Sequence, residues 1–149
     1  MPRPCVLAKE LARGVARSFA QRGYTTLLEF PLHNGRRADL IGLGRDGGLV
    51  IVEVKSSAAD FRSDHKWPEY RGYCDRLYFA VAADFPAALI PEDCGLIVAD
   101  PFGGSILREA PEAPLAAGRR RALTLRFARI AASRLARLVD PAALVPEPG

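Results

Sequence analysis

The chain has 149 residues, 49% of them hydrophobic, which suits one domain with its own core and excludes a disordered tail. Its net charge of +4 and isoelectric point of about 9.2 are mildly basic, so nucleic acid is admitted as a partner without being required. No apolar run approaches the roughly 20 residues that cross a bilayer. The start Met1-Pro2-Arg3-Pro4 lacks a secretory pattern, and Cys5, Cys74 and Cys94 lack metal-ligand spacing, so a cytoplasmic protein with reduced thiols is expected.

Val6 to Gln21 predicts an amphipathic helix, with Leu7, Leu11, Val15 and Phe19 in one stripe and Gly23 behind it as a left-handed stop. Strands are predicted over Thr25–Leu32, Ala38–Leu43 and Leu49–Lys55. They are separated by the turn signals His33-Asn34-Gly35 and Asp46-Gly47-Gly48, so the three form an antiparallel meander. A short helix is expected from Asp64, as N-cap, to about Cys74, with Pro68 in its first turn. Leu77–Ala82, Leu96–Ala99 and Ser105–Arg108 read as further strands. Ala122–Leu138 reads as a long helix whose apolar stripe is Phe127, Ala131, Leu135 and Leu138. The order implies an α/β or α+β domain over residues 1–140, with a mixed central sheet flanked by helices and a flexible tail at 141–149.

The third strand carries the chemistry. Val50, Val52 and Val54 face one side and Leu49, Ile51, Glu53 and Lys55 the other, so two charges end an otherwise apolar strand. Pairing across the Asp46-Gly47-Gly48 turn brings Asp39 alongside. Two carboxylates on one face repel unless a cation holds them, and their hard oxygens suit Mg²⁺ or Mn²⁺. The competing reading is an ordinary Glu53–Lys55 pair on a wetted strand end, with Asp39 a turn residue.

Arg37-Ala38-Asp39-Leu40 followed by Val52-Glu53-Val54-Lys55-Ser56 resembles the D…(D/E)-x-K signature of the PD-(D/E)XK nuclease superfamily, with Ala38 in place of its proline. The stretch from Glu53 through Asp60-Phe61-Arg62-Ser63-Asp64-His65-Lys66-Trp67-Pro68-Glu69-Tyr70 to Val81 resembles, more narrowly, the MmcB-like DNA-repair family. The resemblance implies a restriction-endonuclease-like core, with Asp39 and Glu53 as ligands of Mg²⁺ or Mn²⁺ and the Val54 carbonyl as a further ligand. It also implies Lys55 as the catalytic lysine, a DNA substrate and a nucleoid-associated protein. Lys66 and Tyr70, four apart on the expected helix, would stand where related nucleases carry a Gln-x-x-x-Tyr element.

Arg36 and Arg37 precede the Asp39 strand and are candidate phosphate contacts. Between Ala113 and Val139 there is no acidic residue but seven arginines, of which Arg126 and Arg129 are the candidate DNA contacts. Solvated turn and helix residues are the alternative for all four. Trp67 is expected as a core anchor, Glu10 on a solvated helix face, and His33 and His65 at the surface. The function expected is a metal-dependent DNA nuclease in repair or recombination. Its alternatives are a non-catalytic DNA-binding or recruitment module on the same fold, and a last helix that docks repair proteins. A homodimer is compatible with either.

Overall fold

The computed structural model describes residues 7–148, so Cys5, Val6 and the extreme N-terminus lie outside the described residues. Three helices, α1 (Ala8–Gln21), α2 (Ala58–Ser63) and α3 (Ala117–Val139), surround six strands. The strands are β1 (Thr25–Pro31), β2 (Arg37–Leu43), β3 (Leu49–Lys55), β4 (Arg76–Val81), β5 (Gly95–Asp100) and β6 (Gly103–Arg108). They form one sheet in sequence order. The β1–β2–β3 meander is antiparallel, β3–β4 and β4–β5 are parallel, and β5–β6 is a hairpin. This is the mixed sheet expected from the sequence.

β3 is buried along its whole length because helices cover both of its faces. Val50, Val52 and Val54 pack with Leu11, Val15 and Phe19 of α1. Leu49 and Ile51 pack in the opposite layer with Leu123, Phe127 and Ile130 of α3. α1 lies so close to the β5–β6 turn that a Cβ on Gly14 would come within 1.8 Å of the Asp100 carbonyl oxygen. Only glycine fits there.

Three expectations need correction. The stretch expected as one helix from Asp64 to Cys74 holds only a 3₁₀ helix, and α2 forms ahead of it. Ser57 caps α2 by accepting a hydrogen bond from the Asp60 amide, and a 3₁₀ helix follows over Trp67–Tyr73. Asp64 still works as a cap in the gap, taking the amides of Lys66 and Trp67 at 2.8 and 3.2 Å. Next, α3 begins at Ala117, five residues before the expected Ala122, because its first turn is docked by arginines. Finally, the buried stripe of α3 is Leu123, Phe127 and Ile130, whereas Leu135 and Leu138 are 60% and 79% exposed. The last turns of the helix run past the core, so the apolar spacing there meets solvent.

Asp75 holds the start of β3 to the start of α3. Its Oδ2 accepts from the Leu49 amide at 2.8 Å and Arg120 Nη1 at 2.6 Å. Its Oδ1 accepts from the Leu115 amide at 2.8 Å and Arg120 Nη2 at 2.5 Å. Burial alone would raise this carboxyl, but Arg120 and the two amides outweigh it and hold the pKa at about 2, below the ordinary 3.8. Because the folded value is depressed, the stabilisation is complete above the ordinary value and is lost as pH falls from 3.8 towards 2. Asp75→Ala should cost about 3 kcal/mol in urea unfolding at neutral pH. It should also remove this part of the acid sensitivity, and an unchanged midpoint would refute the anchoring role.

Candidate active site

The site is built where the β2–β3 ladder stops. Regular pairing ends at Leu40–Val52, and Asp39 and Glu53 stand one step beyond it. There each acid completes the hydrogen bonding of the other strand. The Asp39 amide donates to Glu53 Oε2 at 3.0 Å, and the Val54 amide donates to Asp39 Oδ2 at 2.8 Å. A strand residue sends its N–H and C=O to the same edge, so this contact also turns the Val54 carbonyl towards Asp39.

The break in pairing has a backbone cause in β1 and β2. Leu28 pairs with Leu40 and Phe30 with Ala38, while Glu29 between them has φ +47°. Strict alternation would put Phe30 on the face of Leu28 and Ala38 on the face of Leu40. Instead Phe30 and Ala38 lie in the α3-side cluster, while Leu28 and Leu40 lie on the α1 side. Both strands change face at Glu29 and Asp39, which delivers the Asp39 side chain to the sheet's rim.

Glu53 is 3% exposed. Burial first, and the neighbouring Asp39 charge second, push its carboxyl up from 4.5 to about 9. Tyr70 is buried against it and donates its hydroxyl to the Arg37 carbonyl at 3.0 Å. Burial and the Glu53 charge raise this phenol above its usual range. Lys55, 7% exposed, extends to Asp64, with Nζ and Oδ2 2.5 Å apart. Burial would raise the Asp64 carboxyl, but the Lys55 ammonium and the Lys66 amide hold it below its usual range.

Of the sequence candidates, Asp39, Glu53, Val54 and Tyr70 gather at one place, and Lys55, two residues on in β3, turns its ammonium to Asp64. Lys66 does not join them through a shared helix face. It caps a 3₁₀ helix, in which residues three rather than four apart align, and its side chain is exposed while Tyr70 is buried. Arg37 lines a cleft of about 470 Å³ that opens beside Asp39. Arg36 pairs with Glu69 at 2.7 Å. Arg126 is 7% exposed and donates to the Pro31 carbonyl at 2.6 Å, so it belongs to the protein interior and not to a basic outer face. Arg129 is exposed and, among the described residues, its guanidinium has no hydrogen-bond or ion-pair partner.

Sequence reasoning missed Asp64, which was read only as a helix cap. It also missed Lys9 and Glu147, which line the cleft with Arg134, one of the arginines of the last helix. The Asp64 contact was invisible because it depends on α2 folding Lys55's strand back onto the loop. Glu10, expected on a solvated helix face, accepts the Leu7 amide at 3.2 Å at the start of α1. Trp67 packs edge-on against Phe79, with ring centroids 5.2 Å apart, as a core anchor would. His33 and His65 are exposed. Cys74 and Cys94 are buried free thiols, pushed up by burial to about 12 and about 11.

A metal can be tested against this donor set. Asp39, Glu53 and the Val54 carbonyl supply hard oxygens, and the pair's excess negative charge, evident in the raised Glu53 carboxyl, is what a divalent ion would offset. The residues fit. Among the described residues no group of three or more His, Cys, Asp or Glu side chains gathers, so such an ion would rest on two carboxylates, backbone and water. No described helix is long and apolar enough to cross a membrane.

The family model described as DNA repair protein MmcB-like matches residues 4–142. A solved structure of a protein of unknown function from Silicibacter pomeroyi superposes with a TM-score of 0.88. It is 43% identical, and the match covers 95% of each chain. No curated protein matches.

The buried acid pair makes a pH prediction. The folded protein keeps a proton on Glu53 between pH 4.5 and about 9, while the unfolded chain releases it. Stability without divalent ions should therefore fall as pH rises through that window, by at most about 1.4 kcal/mol per pH unit. Glu53→Gln, which mimics the protonated form, should flatten the slope in chelator-treated urea titrations. A slope as steep in the variant as in the wild type would assign the effect elsewhere.

Proposed function

Because the chain belongs to the MmcB-like DNA repair family, we propose that it is a metal-dependent DNA nuclease of the PD-(D/E)XK type. The observation that carries this reading is the reciprocal hydrogen bonding of Asp39 and Glu53 at the end of the β2–β3 ladder, with Lys55 two residues on. Asp39, Glu53 and the Val54 carbonyl would hold Mg²⁺ or Mn²⁺. When bound, such an ion lowers the pKa of water and stabilises charge developing on a phosphodiester.

The chain's own groups supply the rest. Glu53, whose carboxyl is raised by burial, would serve as a ligand in its ionised form, which a nearby positive charge would favour. Asp39, half-buried at the mouth of the cleft, is the acid that a DNA phosphate meets first. Lys55 is the ammonium nearest in sequence to Glu53. To assist at the reacting water or phosphate it must share or exchange its contact with Asp64. Tyr70 fixes the backbone before Asp39 through its bond to the Arg37 carbonyl.

Two observations favour a second reading, a DNA-binding or recruitment module without catalysis. Lys55 is already paired with Asp64, and among the described residues two acids, not three, gather at the proposed metal position. The two readings separate in one set of measurements. With Mg²⁺ or Mn²⁺ the nuclease should nick or degrade plasmid, duplex or single-stranded DNA. Asp39→Asn, Glu53→Gln and Lys55→Ala should each lower the rate by about 100-fold or more while unfolding cooperatively. Wild-type rates in all three variants would refute the mechanism. Salt-sensitive binding with no cleavage, no chelator effect and no heat of Mn²⁺ binding would select the second reading.

A further inference from the structure

The cleft beside Asp39 has a basic wall that the acid pair does not use. It lies at the β1 edge of the sheet, between the first turn of α1 and the later turns of α3, and Lys9, Arg37 and Arg134 line it. Arg134 is pinned from behind. Its Nη1 donates to the Leu28 carbonyl at 2.6 Å and its Nη2 to the Glu29 carbonyl at 2.9 Å. These carbonyls flank the left-handed Glu29, so the backbone switch that delivers Asp39 also seats this guanidinium.

With both ends of its planar fork fixed, Arg134 presents Nε–H to Glu147, whose Oε1 accepts it at 2.6 Å. Arg137 Nη2 reaches the same oxygen at 3.5 Å. The Arg134 hydrogen bond, working against burial, holds the Glu147 carboxyl below its usual range, and the charges of Arg137 and Arg37 add to this. One carboxylate from the last described residues thus sits on two guanidinium groups, Arg134 and Arg137, while Arg37 lines the same cleft 3.9 Å from Glu29. A phosphodiester offers arginine the same thing, a pair of anionic oxygens that accept N–H donors.

We propose that Arg134 and Arg137, with Arg37 across the cleft, form a subsite for a backbone phosphate of DNA, and that Glu147 occupies it in the free protein as a built-in competitor. The inference rests on the DNA reading above but requires neither metal nor cleavage. It places one phosphate of the bound strand beside Asp39. It also makes the 141–148 segment an element that must move aside for DNA.

The test is fluorescence anisotropy with labelled single-stranded and duplex oligonucleotides in chelator, at low and moderate salt. Glu147→Gln should tighten binding about 5-fold, the equivalent of releasing one partly exposed ion pair. Adding Arg137→Ala to that variant should abolish the gain. Glu92→Gln makes the same charge change in the exposed turn before β5 and should gain much less. Equal affinities of Glu147→Gln and wild type, or an equal gain in Glu92→Gln, overturn the subsite while leaving DNA binding by the wild type intact. If none of the proteins binds DNA, the DNA reading fails separately. Pyrophosphate then decides the anion site: it should raise the melting temperature of Glu147→Gln more than that of wild type, and equal shifts overturn the proposal.

Discussion

The architecture around the site depends on two carboxyl groups that each complete the other strand's hydrogen bonding. Where β2 and β3 stop pairing, an unpaired amide on each strand would be left near the core, at a cost comparable to a lost hydrogen bond. Asp39 and Glu53 take those amides at 2.8 and 3.0 Å. The solution is structurally sufficient yet electrostatically strained, because it sets two acids against each other with Glu53 almost fully buried. Burial and the Asp39 charge favour a proton on Glu53, which would relieve that strain. A divalent cation would relieve it differently, leaving both acids ionised. Fold and proposed chemistry thus share one pair of side chains, and the backbone change of face at Glu29 and Asp39 is the feature that brings them together.

Basic residues are distributed by a related economy of contacts. Seven arginines without an acid among them look, along the chain, like a positive surface. In space most are engaged. Arg120 is clamped by Asp75, Arg119 lies over the Tyr73 ring, with its guanidinium carbon 4.4 Å from the centroid, and Arg126 donates to the Pro31 carbonyl. Arg134 and Arg137 are matched by Glu147, which lies outside the acid-free stretch. In the cleft Lys9, Arg37 and Arg134 face Glu29, Asp39 and Glu147, so the unmatched charge of this stretch lies at exposed positions such as Arg121 and Arg129. A count of arginines overstates it.

Much of the fold was legible because its signals are local and strong. β3 was bounded correctly as Leu49–Lys55 because an apolar run between a glycine turn and a serine pair has few other readings. The acid pair was legible because a tight turn fixes register, and register fixes which side chains meet. The losses have equally physical causes. The region after Lys55 was read as one helix from Asp64, yet Ser57 offered an earlier cap and Pro68 favoured a separate 3₁₀ turn. That difference removed Lys66 from Tyr70's face. Arg126 falls on the inward side of α3 because a backbone carbonyl at the end of β1 is there to receive it. No helical periodicity encodes that acceptor, and none encodes the reach of Glu147 back to Arg134.

The geometry also constrains how a nuclease of the proposed kind would handle a strand of DNA. Asp39 repels phosphate at the point where chemistry would occur, so attraction must come from the walls of the cleft. Arg134 is suited to this because β1 carbonyls immobilise it, and a pre-ordered guanidinium loses little freedom when an anion arrives. The same pre-ordering makes it a magnet for any nearby carboxylate, and Glu147 answers. A cleft whose floor needs positive charge and whose wall needs negative charge is quiet only when both needs are met internally, by a proton on Glu53 and by the Glu147 carboxylate. A metal ion and a phosphate would exchange for these two occupants at neighbouring positions, and each exchange would ease the other, because the cation neutralises the acids that repel the phosphate.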